Sequence, residues 1–276
     1  MRASRRGLTI ATHNILDGLR LSSLLDVYNN LRTRDGLHAL CVQEAVPHAA
    51  TRIARALGPR FAVGEHAGAP RLSIVYDRSV LTLRRLHVLS LQRLDHVPLL
   101  QRLYTSCTPE TKQALIARFT LRGHGRALTV ANFHLDTAGY NAHRKAQIRS
   151  LSNALSTRLN RPLIACGDTN AFVWYRSEAE PALRKVIAPL LHRHGAVDVH
   201  AHKPVDTHFF ARANEPKLGQ QLAVAFGKLG VDFPRRYDVI AASSPCFRAG
   251  VVDTTDSDHN LVYATLDVHR RLLGSR

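Results

Sequence analysis

The chain has 276 residues, a hydrophobic fraction of 45%, four cysteines and a formal net charge of +17. Such a length accommodates one domain with a sizeable core, and no apolar run is long enough to make a membrane span. The charge favours a polyanion: nucleic acid, an anionic lipid surface or a polyphosphorylated small molecule. A general preference for arginine accounts for the charge equally well, because the arginines form no single dense run.

The opening residues, MRASRRGLTIATHNIL, are basic and then briefly apolar. Thr9, Thr12 and His13 interrupt the run, so it reads as a first strand over 8–14 and not as a secretory leader. Helical spacing follows over 21–34, then a strand over 38–43 (HALCVQ). A helix over 47–57 has Pro47 near its first turn and Gly58 just past its end. Residues 72–76 and 80–89 read as paired strands joined by a polar turn. Residues 92–110 lack periodicity and read as a surface connection. A hairpin is expected from 114–121 and 127–133 across Arg122-Gly123-His124-Gly125.

Residues 142–159 are helical, with Ile148, Leu151, Leu155 and Leu159 on one face. A short buried strand over 163–166, a helix over 182–194, an irregular insertion over 211–236 and strands over 237–242 and 261–268 complete the chain. Hairpins interleaved with helices predict two packed sheets with helices outside. One domain is expected over 1–276. Cys41, Cys107, Cys166 and Cys246 lie far apart without a CxxC pair. They read as reduced structural thiols, and a cytoplasmic setting is expected.

Polar residues recur at the strand ends. Asn14 closes the first strand and Glu44 the second; His134 and Asp136 follow in NFHLD, Asp168 and Asn170 in ACGDTN. Asp238 opens a late strand, and Asp258 and His259 precede the last one. Singly, such residues cap helices or make turns. Together, at successive strand ends, they suit a common cleft. Glu44 and Asp258 offer hard oxygen ligands suited to magnesium or manganese. Asn14 and Asn170 can contact metal or phosphate without added repulsion, and His259 bonded to Asp238 would be an oriented imidazole. Phosphate-ester hydrolysis needs such a set.

The motifs THN, QE, FHLD, GDTN, YD and SDH, in that order, resemble the endonuclease/exonuclease/phosphatase (DNase I-like) superfamily. The resemblance extends from Asn14 to His259. It implies a four-layer α/β/β/α sandwich, with two mixed β-sheets packed face to face and helices outside. It further implies a Mg2+- or Mn2+-dependent phosphoesterase, with Glu44, Asn14 and Asp258 at the metal. Asn170 would hold the scissile phosphate, and His134 would contact it or assist the leaving group. Asp168 or the His259–Asp238 pair would activate water. Asp17 is a weaker metal candidate, and Asp136 is equally a structural partner. Arg144 and Gln147, three apart on the helix that follows HLD, read as a solvated face.

Nucleic acid is the favoured substrate. The alternatives are a phospholipid or sphingomyelin-type diester, a phosphoinositide-type monoester, or a catalytically inactive binding role; no protein partner is inferred. The RRYD tract lacks the tryptophan often found there in abasic-site endonucleases, which argues against that repair role. Trp174 and Tyr175 could stack a base, insert into lipid or fold onto the core. In the lipid alternative, the segment 218–229 with Lys217 and Lys228 would dock on a membrane.

Overall fold

The computed structural model describes residues 7–97, 111–155, 162–173, 175–202, 205–209 and 235–269. Twelve strands occur among them: β1 Leu8–Asn14, β2 Leu37–Gln43, β3 Phe61–Glu65, β4 Leu72–Asp77, β5 Leu81–Ser90, β6 Gln113–Leu121, β7 Ala127–His134, β8 Leu163–Asp168, β9 Val197–Asp198, β10 Asp238–Ala242, β11 Cys246–Val252 and β12 Leu261–Leu266. Four α-helices accompany them: α1 Leu21–Asp35, α2 Ala49–Leu57, α3 Asn141–Leu155 and α4 Ala179–His194.

The strands form two six-stranded sheets, ordered β11-β12-β1-β2-β4-β3 and β5-β6-β7-β8-β10-β9. Each contains one parallel pair, β1–β2 in the first and β7–β8 in the second; the other pairings are antiparallel. Residues of both sheets, such as Ile10, Cys41, Ile74, Leu128, Cys166 and Ile240, share one apolar layer between them. A second layer joins α1 and α2 to the first sheet, and a third joins α3 and α4 to the other. The predicted α/β/β/α sandwich is therefore observed. The central strands are apolar on both faces because both faces are covered.

Helix α1 buries Leu21, Leu24, Tyr28 and Leu31 at helical spacing, and Gly36 ends it in the left-handed conformation (φ 67°). Each fully buried Leu or Ile in these layers contributes roughly 1.5–3 kcal/mol.

Four expectations need correction. The strands over 72–76 and 80–89 are real but not partners: β4 pairs with β2 and β3, whereas β5 pairs with β6 in the other sheet. The polar turn there carries the chain between sheets. Helix α2 begins at Ala49, because His48 takes a left-handed conformation (φ 67°) that no helix continues. Strands β3, β9 and β11 were unanticipated; β3 and β11 are edge strands with mixed burial, and β9 is two residues long. The strand over 163–166 continues to Asp168. Leu159, Trp174, Cys107 and the segment 218–229 lie outside the described residues.

Candidate active site

The topology explains why the polar residues meet. Strands β1, β2, β7 and β8 run toward one end of the sandwich and deliver Asn14, Glu44, His134 and Asp168 there. Strand β10 is antiparallel to β8, so its first residue, Asp238, lies opposite Asp168 in register. Strand β12 is antiparallel to β1, and Asp258 and His259 immediately precede it.

A buried polar staple holds the two sheets together behind this end. Gln43 Nε2 donates to Asn132 Oδ1 (2.6 Å) and to Thr12 Oγ1 (3.0 Å). Asn132 Nδ2 donates to the carbonyls of Val42 and Ser73, each at 2.9 Å. With their partners supplied, these buried amides fix one relative placement of β2 and β7.

Asp168 is the hub. Its Oδ2 accepts from Asn14 Nδ2 at 3.1 Å and lies 3.6 Å from both His134 Nε2 and His259 Nε2. Its Oδ1 accepts the Asn170 N–H at 2.8 Å. Asn14 Nδ2 also donates to Glu44 Oε1 (3.1 Å), while Asn14 Oδ1 accepts the Leu16 N–H (3.2 Å). His259 Nδ1 bonds Asp238 Oδ2 at 2.7 Å, as the sequence suggested. Asn170 Nδ2 donates to the Leu135 carbonyl at 3.0 Å.

Backbone geometry at the site is unusual. Glu44 (φ 54°) and Asn170 (φ 47°) adopt left-handed conformations, uncommon for a non-glycine residue and least expected for Glu. Strain of this kind costs about 1 kcal/mol or more and persists where surrounding contacts enforce it. Gly167 is obligatory: at its φ of 151°, an added Cβ would lie 1.8 Å from the Phe133 carbonyl oxygen. The glycine in CGDTN thus lets β8 approach β7 closely enough to present Asp168.

Charge states differ sharply within this cluster. Burial alone would lower the His259 pKa, but the carboxylates of Asp238, Asp168 and Asp258 outweigh it and raise it well above the usual value. These carboxylates favour the protonated ring. Burial, with Lys112, His259 and Arg71 nearby, holds His134 well below the usual value, so it is neutral. Burial pushes the carboxyls of Glu44 and Asp168 upward. Burial also opposes ionisation of Asp258, yet His259 and His208 prevail and hold it at about 2.

The donor set fits a hard divalent cation. Four carboxylates, Glu44, Asp168, Asp238 and Asp258, gather against one imidazolium and Arg71, whose Nη2 is 3.4 Å from Glu44 Oε2. The charge excess is negative and the donors are oxygen. His208, Asp258 and His259 also bring ligand atoms within 4.8 Å of one another. In that trio His208 Nε2 lies 3.5 Å from Asp258 Oδ2, and His259 is already bonded through Nδ1 to Asp238.

Several participants left no mark in the sequence. His208 places Nε2 3.5 Å from Asp258 Oδ2 and packs edge-on against His259, ring centroids 4.6 Å apart. Thr207 Oγ1 accepts the N–H groups of Tyr237 and Asp238. His13 bonds the Tyr28 hydroxyl and the His259 carbonyl. Arg236 forks to Glu180 and Asp198, with four contacts of 2.7–3.1 Å, two residues before Asp238. His13 and Arg236 stand beside motif residues without a local signal of their own, and Thr207 and His208 match no spacing, which is why sequence reading passes over them.

Asp17 pairs with Arg71 at the exposed rim. Arg144 and Gln147 are not a solvated face: both are buried. Arg144 donates to the carbonyls of Asp136, Thr137 and Gly139, and Gln147 bonds Asp136 through both its nitrogen and its oxygen. Tyr175 is 71% exposed and does not fold onto the core; Tyr140, on the neighbouring loop, is 68% exposed.

No family model and no curated protein matches the chain. Solved structures do. D. rerio TDP2 complexed with single-strand DNA product is 17% identical, with 94% of this chain and 98% of that chain covered and a TM-score of 0.65. An endonuclease/exonuclease/phosphatase from Bacteroides vulgatus is 15% identical over 95% and 98%, with a TM-score of 0.67. The Bacteroides thetaiotaomicron mannosyl-6-phosphatase is 17% identical over 94% and 99%, with a TM-score of 0.63. The chain has the fold of endonuclease/exonuclease/phosphatase proteins.

Proposed function

We propose that this protein is a Mg2+- or Mn2+-dependent phosphodiesterase that cleaves nucleic acid with water as the nucleophile. The observation that carries this is the meeting of Asn14, Glu44, His134, Asp168 and His259 within about one side-chain length.

Glu44 and Asp258 would hold the cation, with Asn14 turning its amide oxygen inward to join them. Bound there, the ion would polarise the phosphoryl oxygens and offset developing negative charge. Asp168, its carboxyl raised by burial, takes the proton of the attacking water. His259 is a poor base as an imidazolium; held by Asp238, it donates a hydrogen bond to a phosphoryl oxygen. Asn170 positions the phosphate, and neutral His134 faces the leaving oxygen.

Nucleic acid is preferred as substrate because the body carries +17 around an acidic cleft, which would neutralise flanking phosphates. The TDP2 neighbour holds single-strand DNA product in the same fold. Exposed Tyr140 and Tyr175, on the segments that follow β7 and β8, would stack unpaired bases. A lipid diester or a sugar phosphomonoester is the competing substrate, the latter favoured by the mannosyl-6-phosphatase neighbour. A cytoplasmic setting belongs to the same reading, since Cys41, Cys166 and Cys246 are free thiols, and no described helix is long and apolar enough to cross a membrane.

The test is hydrolysis of bis-para-nitrophenyl phosphate with magnesium or manganese, then of plasmid DNA, RNA and choline-phospholipid vesicles side by side. Activity on the generic diester should vanish on chelation and in Asp168→Ala. Diester hydrolysis that survives chelation overturns the metal assignment, and turnover of vesicles alone overturns the nucleic-acid assignment.

A further inference from the structure

The outer face of the β5–β6 hairpin carries a charge pattern that the cleft does not use. Its inner face packs Leu81, Leu83, Leu115, Ala117 and Phe119 into the layer between the sheets. Toward the far end from the cleft, the opposite face presents arginine and threonine. Thr82 lies opposite Thr120, and Arg85 opposite Arg118. Arg84 Nε donates to Thr120 Oγ1, and Arg122 Nε donates to Thr82 Oγ1, each at 3.1 Å.

This pairing is reciprocal: each arginine is anchored through Nε by a threonine on the partner strand. Both of these bonds are made through Nε, so neither uses the terminal amino groups of Arg84 or Arg122. Arg84, Arg85 and Arg122 are exposed and Arg118 is half-buried. Among the described residues, no carboxylate pairs with any of the four. Burial and the nearby Arg85 and Arg118 lower the pKa of His87 on the same strand. Like charges directly opposite in a sheet are destabilising, so this repulsion is a standing cost of the fold.

From this geometry we infer a second binding surface, the arginine-lined outer face of β5–β6, that takes the phosphate backbone of a nucleic-acid duplex. Guanidinium forks suit phosphate bidentately. Along a strand, same-face residues recur every ~7 Å, and across the pair the strands are ~5 Å apart. That grid lets several forks meet successive phosphates of one backbone. Among the described residues, the large hydrophobics that are exposed, Leu19, Tyr140, Tyr175, Val197, Val205 and Phe247, all lie off this hairpin. The described face therefore offers no large exposed apolar side chain to a bilayer, and duplex is favoured over lipid. Arg118 is in register with Thr129, five residues before His134 on β7, or about 17 Å from the site. The surface stands independently of the catalytic reading.

The experiment measures binding of a 20-base-pair DNA duplex in chelator, so that cleavage cannot intervene, across a series of salt concentrations. The triple variant Arg84→Gln/Arg118→Gln/Arg122→Gln should bind at least about tenfold more weakly, with the slope of log K against log salt reduced by about 2–3. Single Arg122→Gln, beside the β6–β7 turn, should lower the slope by about 1 and guards against misfolding of the triple. Hydrolysis of bis-para-nitrophenyl phosphate should be unchanged in both. Unchanged duplex affinity and slope in a folded triple variant overturns the proposal. So does loss of binding to phosphatidylserine vesicles without loss of duplex binding, which would make the face a lipid contact.

Discussion

Two of the aspartate–histidine pairs near the cleft are closed at 2.7 Å: Asp238–His259 and Asp136–His143. Distance does not tell them apart, but their surroundings do. The second nitrogen of His259 faces Asp168, and Asp258 lies nearby, so three carboxylates act on one buried ring and hold it cationic. Asp136 instead receives Gln147 Nε2 at 2.7 Å as well as His143, and its carbonyl receives Arg144. One pair is aimed into the cleft. The other ties the loop after β7 to the start of α3. An Asp–His pair thus acquires chemistry from what its far side faces, not from its own hydrogen bond.

The largest contrast should appear in turnover. His259→Ala should lower kcat on a generic diester by about 10³-fold, within the range for an acid–base or charge-stabilising group. His143→Ala should stay within about tenfold of wild type, since its ring touches only the loop. Steady-state kinetics with circular dichroism as a folding check decides this, and equal losses in both variants would erase the distinction.

A smaller effect separates the pairs in stability. Arg144 is buried and supplies donors to three loop carbonyls. Arg144→Ala leaves those carbonyls without their donors and should cost about 3 kcal/mol, read from urea unfolding. Arg144→Lys should recover little of it, because an ammonium cannot reproduce the planar fork. This side chain also shows where sequence reading runs out. Strand ends were legible, because an apolar run that stops at Asn, Glu, His or Asp is a local signal; Asn14, Glu44, His134, Asp168, Asp238 and His259 were all found that way, and their convergence followed from topology. Arg144 sits on a helix face whose neighbour is a loop only the fold brings near, and its local spacing is that of any solvated arginine. The β4–β5 connection misled for the same reason: a short polar turn between two strands looks the same whether it closes a hairpin or crosses between sheets.

The third difference is between His259 and the ring directly behind it. His13 bonds the His259 carbonyl and the Tyr28 hydroxyl, and burial lowers its pKa to about 4. The two rings have opposite linkage. His259, raised in the fold, contributes stability that is complete below pH 6.5 and fades as pH rises through its folded value. His13 is depressed, so the unfolded chain takes up its proton first on acidification; its contribution is complete above pH 6.5 and is lost toward pH 4. Between pH 7 and pH 5 that loss amounts to about 2 kcal/mol. Urea midpoints measured in chelator at the two pH values should show it, and His13→Gln, which cannot titrate, should flatten the acid slope by that amount. An unchanged slope in the variant would mean that His13 is not held neutral in the folded chain, and the contrast between the two rings would fail.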